Sequence, residues 1–300
     1  RIQQAARSGS IRVNDQPVKP NYKVRPNDVI SVVMPYPREK IEVLPEPVPL
    51  NIVFEDDDLL VLHKPAGLVV HPGHGNFNGT LVNGLLHYLD NLPNASEEHQ
   101  RPGLVHRLDK DTTGLMVIAK SEGALSHLAK QFFDRTIHRS YLALVWGEPQ
   151  ETEGTITGHI GRSRKNRKVM DVYPEGEQGK PAVTHYEVVE RFGYVTLVRC
   201  RLETGRTHQI RVHMKYIGHP LFGDANYGGD RILKGTTFTK YRQFIANCFK
   251  LLPRQALHAQ TLGFVHPQRG DDMHFEADLP EDMQAVLEKW RGYSRNSQLG

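Results

Sequence analysis

Residues 106–120 read HRLDKDTTGLMVIAK. Leu115 to Ala119 form an unbroken apolar run of strand length, bounded by a Gly-ended turn signal. Directly before that run stand Arg107, Asp109, Lys110 and Asp111. In an extended segment, residues two apart share a face. Arg107 and Asp109 therefore project to one side, while Leu108 points the other way, into a core. Taken locally, this is an Arg–Asp surface pair beside an Asp-Thr-Thr-Gly turn, with the Asp111 side chain capping Thr113. The same residues also fit a second use: a carboxylate and a cation mounted on the end of a rigid strand, where both can meet a ligand.

The surrounding composition bounds the answer. The chain has 300 residues, 38% hydrophobic and 24% charged. That is globular composition, outside the disordered and fibrous classes, and the length predicts about two domains. The formal net charge of +4 is mildly basic and points only weakly to nucleic acid by itself. Two cysteines, Cys200 and Cys248, with no CxxC, exclude a disulfide framework and a cysteine-rich zinc site. A reducing cytoplasm is the expected compartment. No apolar run approaches the roughly 18 residues of a membrane helix, and no signal peptide is visible. The chain opens on RIQQAARSG rather than Met, which reads as the middle of a helix and predicts further residues before Arg1.

Residues 1–8 read as a short helix stopped by Gly9, followed by short strands in SIRVNDQPV and KVRPNDVISVVM, interrupted by Asn-Asp turns. Arg1, Arg7, Arg12, Lys19, Lys23 and Arg25 outnumber Asp15 and Asp28, so this unit (1–38) is basic. Next comes MPYPREKIEVLPEPVPL (34–50), whose proline density predicts an extended linker over 39–50. From 51 to 292, consecutive strands (NIVFEDDDLLVLHKP, SYLALVWG, KPAVTHYEVVERF, YVTLVRCRLE, RQALHAQTLGFVHP, MHFEADLP) mix with a few helices (LVNGLLHYL, LSHLAKQFFDR, EDMQAVLEKW). This predicts an α+β fold with a mixed, largely antiparallel sheet and flanking helices. In TGRTHQIRVHMKYIGHP, Thr207 is the expected N-cap of a helix over 208–217, with Ile210, Met214 and Ile217 on its buried stripe. Arg211 lies one residue from that stripe, so it can flank a packed surface.

Several common chemistries find no footing. GHGNFNG (73–79) has its glycines spaced GxGxxxG and follows His71-Pro72, so it fails the dinucleotide fingerprint, and no GxxxxGK[ST] exists. His208 and His213 are five apart rather than the four of a helical zinc pair, and His71 and His74 lack a neighbouring carboxylate. GxSxG is absent. No cofactor and no metal are expected. GRSRKNRKVM (161–170), rich in Arg and Lys with no acid inside it, reads as a solvated loop or one that contacts phosphates.

Together RPGLVHRLDKDTTGLMVIAKS (101–121), RSYLALVWG (139–147), GKPAVTHY (179–186) and LETGRTHQIRVHMKYIGHPLFGDANYGG (202–229) closely resemble the RluA-type pseudouridine synthases. Within that family the likeness is greatest to the ribosomal large-subunit enzymes of the RluD kind. The basic stretch ARSGSIRVNDQPVKPNYKVRPNDVI resembles the α-L RNA-binding motif first described in a small-subunit ribosomal protein, here truncated at its first helix. Residues 230–252 are less typical and read as a family-variable insertion. The resemblance implies a catalytic domain that isomerises uridine to pseudouridine in large-subunit ribosomal RNA, acting as a cytoplasmic monomer on a stem-loop substrate. It implies that Asp109 is the nucleophile, that Arg107 everts the target nucleotide and fills its place, that Tyr141 packs on the uracil, and that Arg211 pairs with Asp109.

The chemistry agrees with these residue types. The reaction breaks a glycosidic bond, turns the base and rejoins it through carbon 5, with no redox change, so it requires no cofactor. A carboxylate nucleophile is favoured in its ionised form by a neighbouring cation. The target base must leave the stack, at a cost of a few kcal/mol, which an arginine and an aromatic face offset. The rival expectation is a non-catalytic RNA-binding ribosome-assembly factor. An aspartate set where a polyanion docks argues against it.

Overall fold

The computed structural model describes residues 2–33, 43–73, 75–93 and 101–298. The chain divides into two compact units, Arg1–Glu42 and Val43–Gly300. In the first, α1 (Ile2–Arg7) leads through Gly9 to a three-stranded antiparallel sheet of β1 (Ile11–Val13), β2 (Gln16–Pro17) and β3 (Ile30–Val32), in the order β2-β1-β3. Asn14 and Asp15 both have positive φ (48° and 64°) and form the two-residue hairpin turn that such residues favour. The Asn14 Oδ1 accepts the Val29 N–H at 2.9 Å and its Nδ2 donates to Asp28 at 3.1 Å, tying the third strand to the hairpin. Arg7, Arg12, Lys19, Lys23 and Arg25 are all exposed.

The proline-rich stretch is not a linker throughout. Residues 39–42 lie outside the described residues, whereas 43–50 are fastened to the second unit. There the Glu46 N–H donates to Asn83 O (3.0 Å), Asn83 Nδ2 donates to Leu44 O (2.7 Å), and Glu46 Oε2 accepts the Gly79 N–H (2.9 Å). Gly84 lets the segment lie close, since a Cβ there would sit 2.8 Å from that of Val48.

The second unit is built on one ten-stranded sheet. Its strands are β4 (Ile52–Glu55), β5 (Leu59–Lys64), β6 (Thr113–Ala119), β7 (His138–Trp146), β8 (Glu153–Arg162), β9 (Met170–Tyr173), β10 (Lys180–Arg191), β11 (Val195–Leu202), β12 (Leu257–Val265) and β13 (Asp272–Glu276). They run in the order β4-β5-β6-β12-β7-β11-β10-β8-β9, and β13 pairs with β12. The described pairings are antiparallel apart from β6–β12, which is parallel. Gly114 permits that junction, for a Cβ would fall 2.2 Å from the Ala259 carbonyl oxygen. The sequence reading gives no strand to 153–162 or 170–173, where Gly154, Gly158 and Gly161 dilute the alternation. Pairing of β8 with β10, and of β9 with β8, supplies what local pattern does not.

Both sheet faces are covered, which explains the unbroken apolar runs in β6 and β7. Leu60 and Leu62 of β5 and Met116 and Ile118 of β6 pack with α2 (Leu81–Tyr88) and with α4 (Gln209–Tyr216). Their alternating neighbours Leu59, Val61, Leu115 and Val117 pack with α3 (Glu122–Asp134). In β7, Tyr141, Ala143 and Val145 join the first face, while Leu142, Leu144 and Trp146 join α5 (Thr239–Leu251) and α6 (Glu281–Gln298). Each such buried aliphatic contributes about 1.5–3 kcal/mol. Residues 239–251, within the stretch expected to be an insertion, thus supply Tyr241, Ile245 and Cys248 to a buried core beside Trp290.

Candidate active site

The HRLD segment runs beside β6. His106 Nε2 accepts the Val117 N–H at 3.1 Å, and Gly103 O accepts the Ala119 N–H at 2.9 Å. The expected alternation holds: Leu108 is buried in the core, Arg107 is exposed, and the Asp109 side chain keeps 16% of its surface. The turn after Asp109 closes differently from expectation. The Thr112 N–H donates to Asp109 O (3.1 Å), and the Thr113 hydroxyl bonds His258 Nδ1 (2.9 Å) instead of the Asp111 carboxylate. Two buried cations clamp this turn. Lys64 Nζ donates to Pro65 O (2.7 Å), Leu68 O (2.9 Å) and Lys110 O (2.8 Å). Arg254 Nη1 donates to Asp111 O (2.9 Å), and its other nitrogens bind Asp282. Burial pushes the Lys64 ammonium down to about 7, while its three carbonyl partners match the three protons of the charged form.

The helix that carries Arg211 starts one residue later than expected. Its N-cap is His208, in the left-handed region at φ 56°, rather than Thr207. No side chain caps the helix; instead the Gln209 side chain ties its start to the preceding turn and to β10, its Oε1 accepting the Arg206 N–H (2.9 Å) and the Thr204 hydroxyl (2.8 Å) and its Nε2 donating to Val183 O (2.9 Å). So anchored, α4 turns Arg211 inward, and its side chain keeps only 3% exposure.

Arg211 Nη1 donates to Asp109 Oδ2 at 2.9 Å. Its Nε and Nη2 grip Asp224 in a fork, at 2.7 and 2.9 Å. Burial works against the Arg211 charge, but Asp224 and then Asp109 outweigh it and hold the guanidinium above its usual range. Asp224 is 1% exposed. Its Oδ1 also accepts the N–H groups of Asn226 (3.1 Å) and Tyr227 (3.3 Å). Sequence reasoning missed Asp224. The signal was available: a guanidinium on the inner side of a packed helix requires a buried carboxylate, and FGDANYGG offers one.

His208 and Tyr227 complete the wall. The Tyr227 hydroxyl accepts the Met170 N–H at 3.0 Å and lies 2.9 Å from His208 Nδ1. Donation of its own proton to Nδ1 satisfies both groups, which puts the imidazole proton on Nε2. That Nε2 is 3.8 Å from Asp109 Oδ2. Burial lowers the His208 pKa, against the opposing influence of Asp109, and burial raises the Tyr227 phenol to about 12.

Both donors thus face Oδ2 of Asp109, and Oδ1 has no protein partner among the described residues. Asp109 borders a cavity of about 480 Å³ that is also lined by Arg107, Tyr141, Arg139, Arg206, Phe132, His208 and Arg211. Tyr141 comes from β7 and is 6% exposed; burial raises its phenol. The four residues singled out from sequence therefore border one cavity. Of the histidines singled out from sequence, His213 is buried against the Thr184 hydroxyl (2.9 Å), and His74 lies outside the described residues.

Comparison with known proteins shows the family. The family described as RNA pseudouridylate synthase matches residues 58–216, and the S4 domain matches residues 1–30. The chain belongs to the RNA pseudouridylate synthase family. It is 49% identical over 300 residues to an uncharacterized RNA pseudouridine synthase of Chlorobaculum parvum, covering 99% of this chain and 91% of that protein. It is 43% identical over 282 residues to the ribosomal large subunit pseudouridine synthase D of Zymomonas mobilis, covering 92% and 84%. The solved structure of human RNA pseudouridylate synthase domain containing 1 superposes with a TM-score of 0.56 at 25% identity, covering 82% of this chain and 96% of that one. The protein is an RNA pseudouridine synthase, an isomerase of the RluA type, with an RNA-binding S4 domain before its catalytic unit.

Proposed function

We propose that this pseudouridine synthase modifies uridine in large-subunit ribosomal RNA, with Asp109 as its nucleophile. The observation that carries the assignment is the asymmetry of Asp109 at the edge of an arginine-lined cavity: Oδ2 is held by Arg211, while Oδ1 has no protein partner among the described residues. Arg211 fixes the carboxylate and stabilises its charge whenever the covalent bond to substrate breaks. Tyr141 offers its ring to the uracil, and Arg107, exposed and bordering the same cavity, takes the space that the everted nucleotide leaves. The isomerisation balances internally. The bond from ribose carbon 1 to nitrogen 1 breaks, a carbon–carbon bond to carbon 5 forms, the carbon 5 proton leaves to solvent, and nitrogen 1 gains one.

Relatives named as large-subunit enzymes, together with the basic S4 domain, support ribosomal RNA as the substrate. Two buried free cysteines fit the cytoplasm. No helix among the described residues is long and apolar enough to cross a membrane. The test is tritium release from large-subunit ribosomal RNA transcribed with uridine labelled at carbon 5. Release is expected with the wild-type chain and lost with Asp109→Asn; a folded Asp109→Asn protein with normal turnover would reject the nucleophile.

A further inference from the structure

The cavity that holds Asp109 extends beyond the room one base needs. Its about 480 Å³ falls in the range of sites that take ligands of several rings. Phe132, Phe133 and Arg135, at the close of α3, are part of its lining. These two adjacent phenylalanines are used differently. The Phe132 ring stacks on His106 (centroids 4.8 Å apart) and lies under the Arg139 guanidinium (5.0 Å). Phe133 has no ring or cation partner among the described residues and is 86% exposed, above the other large hydrophobics described. The rest of α3 follows the ordinary pattern, burying Ala124, Leu125 and Leu128. A lone exposed apolar side chain needs no explanation on its own. This one borders the reaction cavity, amid Arg107, Arg135, Arg139 and Arg206.

We propose that Phe133 is a stacking platform for an unpaired nucleotide adjacent to the target uridine, with Arg135 and its neighbours taking the flanking phosphate. The inference rests on the assignment of the Asp109–Tyr141 end of the cavity to the target base. Eversion of that base strips one stacking partner from each neighbour in the strand. A bare aromatic face beside positive charge recovers the loss, and does so for any base, because every base presents a π-face. Arg135 is set for the second part. It ends α3 in the left-handed conformation at φ 62°, and its exposed guanidinium has one weak tie, to Glu203 at 3.5 Å.

The test uses the full chain and unmodified large-subunit ribosomal RNA transcript. Phe133→Ala is expected to raise KM about 5- to 150-fold, the range of one lost base stack, with kcat at saturation retained. Phe133→Trp is expected to keep the wild-type KM, and its added fluorescence to quench on addition of transcript. Phe133→Leu, apolar but without a π-face, is expected to behave like Phe133→Ala. A KM within twofold of wild type for Phe133→Ala, or equal KM values for the Leu and Trp variants, overturns the platform. Neither result bears on Asp109, whose assignment stands or falls on kcat.

Discussion

Two aspartates beside this sheet gather cations, and only one has capacity to spare. Asp56, in the turn between β4 and β5, is saturated. Its Oδ1 accepts the N–H groups of Asp58 (3.0 Å) and Leu59 (2.9 Å), and its Oδ2 accepts from His266 Nε2 (2.8 Å) and Arg269 Nη1 (3.3 Å). Asp56, Asp58 and His266 bring donor atoms within 4.8 Å of one another, a spacing that a metal ion could use. His266 answers otherwise. Its Nδ1 accepts the N–H groups of Gln268 and Arg269, so its proton sits on Nε2 and goes to Asp56. Asp109 has the same kind of neighbours, yet one of its oxygens has no partner among the described residues and it borders a cavity. A charge cluster becomes a site when a strong acceptor is positioned and left unsatisfied; otherwise it is a fastener.

The sharpest way to break the contrast is to neutralise each aspartate in turn. Asp109→Asn is expected to cut tritium release by about 10³-fold or more. Its melting temperature should stay near wild type, because Arg211 retains Asp224. Asp56→Asn should leave kcat intact and reduce stability instead. If both variants lost activity in proportion to folded fraction, the distinction would fail. Next in size is Asp224→Asn, which deprives a 3%-exposed guanidinium of its forked partner. Breaking a buried pair of this kind costs about 3–5 kcal/mol, readable by urea denaturation at pH 7. A loss below about 1 kcal/mol would mean that Asp109 alone can hold Arg211.

The strand pattern and the alternation of Arg107, Leu108 and Asp109 were legible because both follow from local periodicity. Tyr141 and Arg211 entered through motif resemblance; their spatial meeting with Asp109 was beyond local pattern. Asp224, Lys64, His208 and Tyr227 were missed for one reason. Each owes its place to a partner far along the chain: Asp224 to the inward turn of α4, Lys64 to a carbonyl 46 residues away, and Tyr227 to a backbone N–H 57 residues away. The Thr207 cap failed on similar grounds, because the start of α4 is set by the Gln209 tie to β10, and the helix begins after His208 with no side-chain cap. The proline-rich stretch was overread, since proline density signals extended backbone but says nothing about whether that backbone is docked.

A finer test concerns the atom that faces Asp109 from the side. In Tyr227→Phe, His208 Nδ1 loses its proton donor, and the ring can present a lone pair instead of an N–H to Oδ2. One misdirected polar contact of this size, about 1–1.5 kcal/mol, corresponds to roughly a tenfold fall in kcat. The KM for RNA transcript should stay within twofold, because Tyr227 is buried. A change confined to KM would place the effect in the basic hairpin between β8 and β9, through the lost Met170 bond, rather than at the nucleophile.

The last test reads Asp56 by pH. Burial disfavours the Asp56 carboxylate, but the N–H of Leu59, then His266 and the N–H of Asp58, outweigh it and hold its pKa below the ordinary value. A depressed carboxylate contributes stability in full above the unfolded pKa, near 4, and loses it as pH falls through the folded value. Wild type and Asp56→Asn should therefore differ most at neutral pH, by about 1–2 kcal/mol, and converge between about pH 4 and pH 2 as Asp56 takes up its proton. Urea denaturation across that range checks it. A gap that stays constant down to pH 2 would show that Asp56 acts through shape rather than charge, and would remove the electrostatic half of the comparison with Asp109.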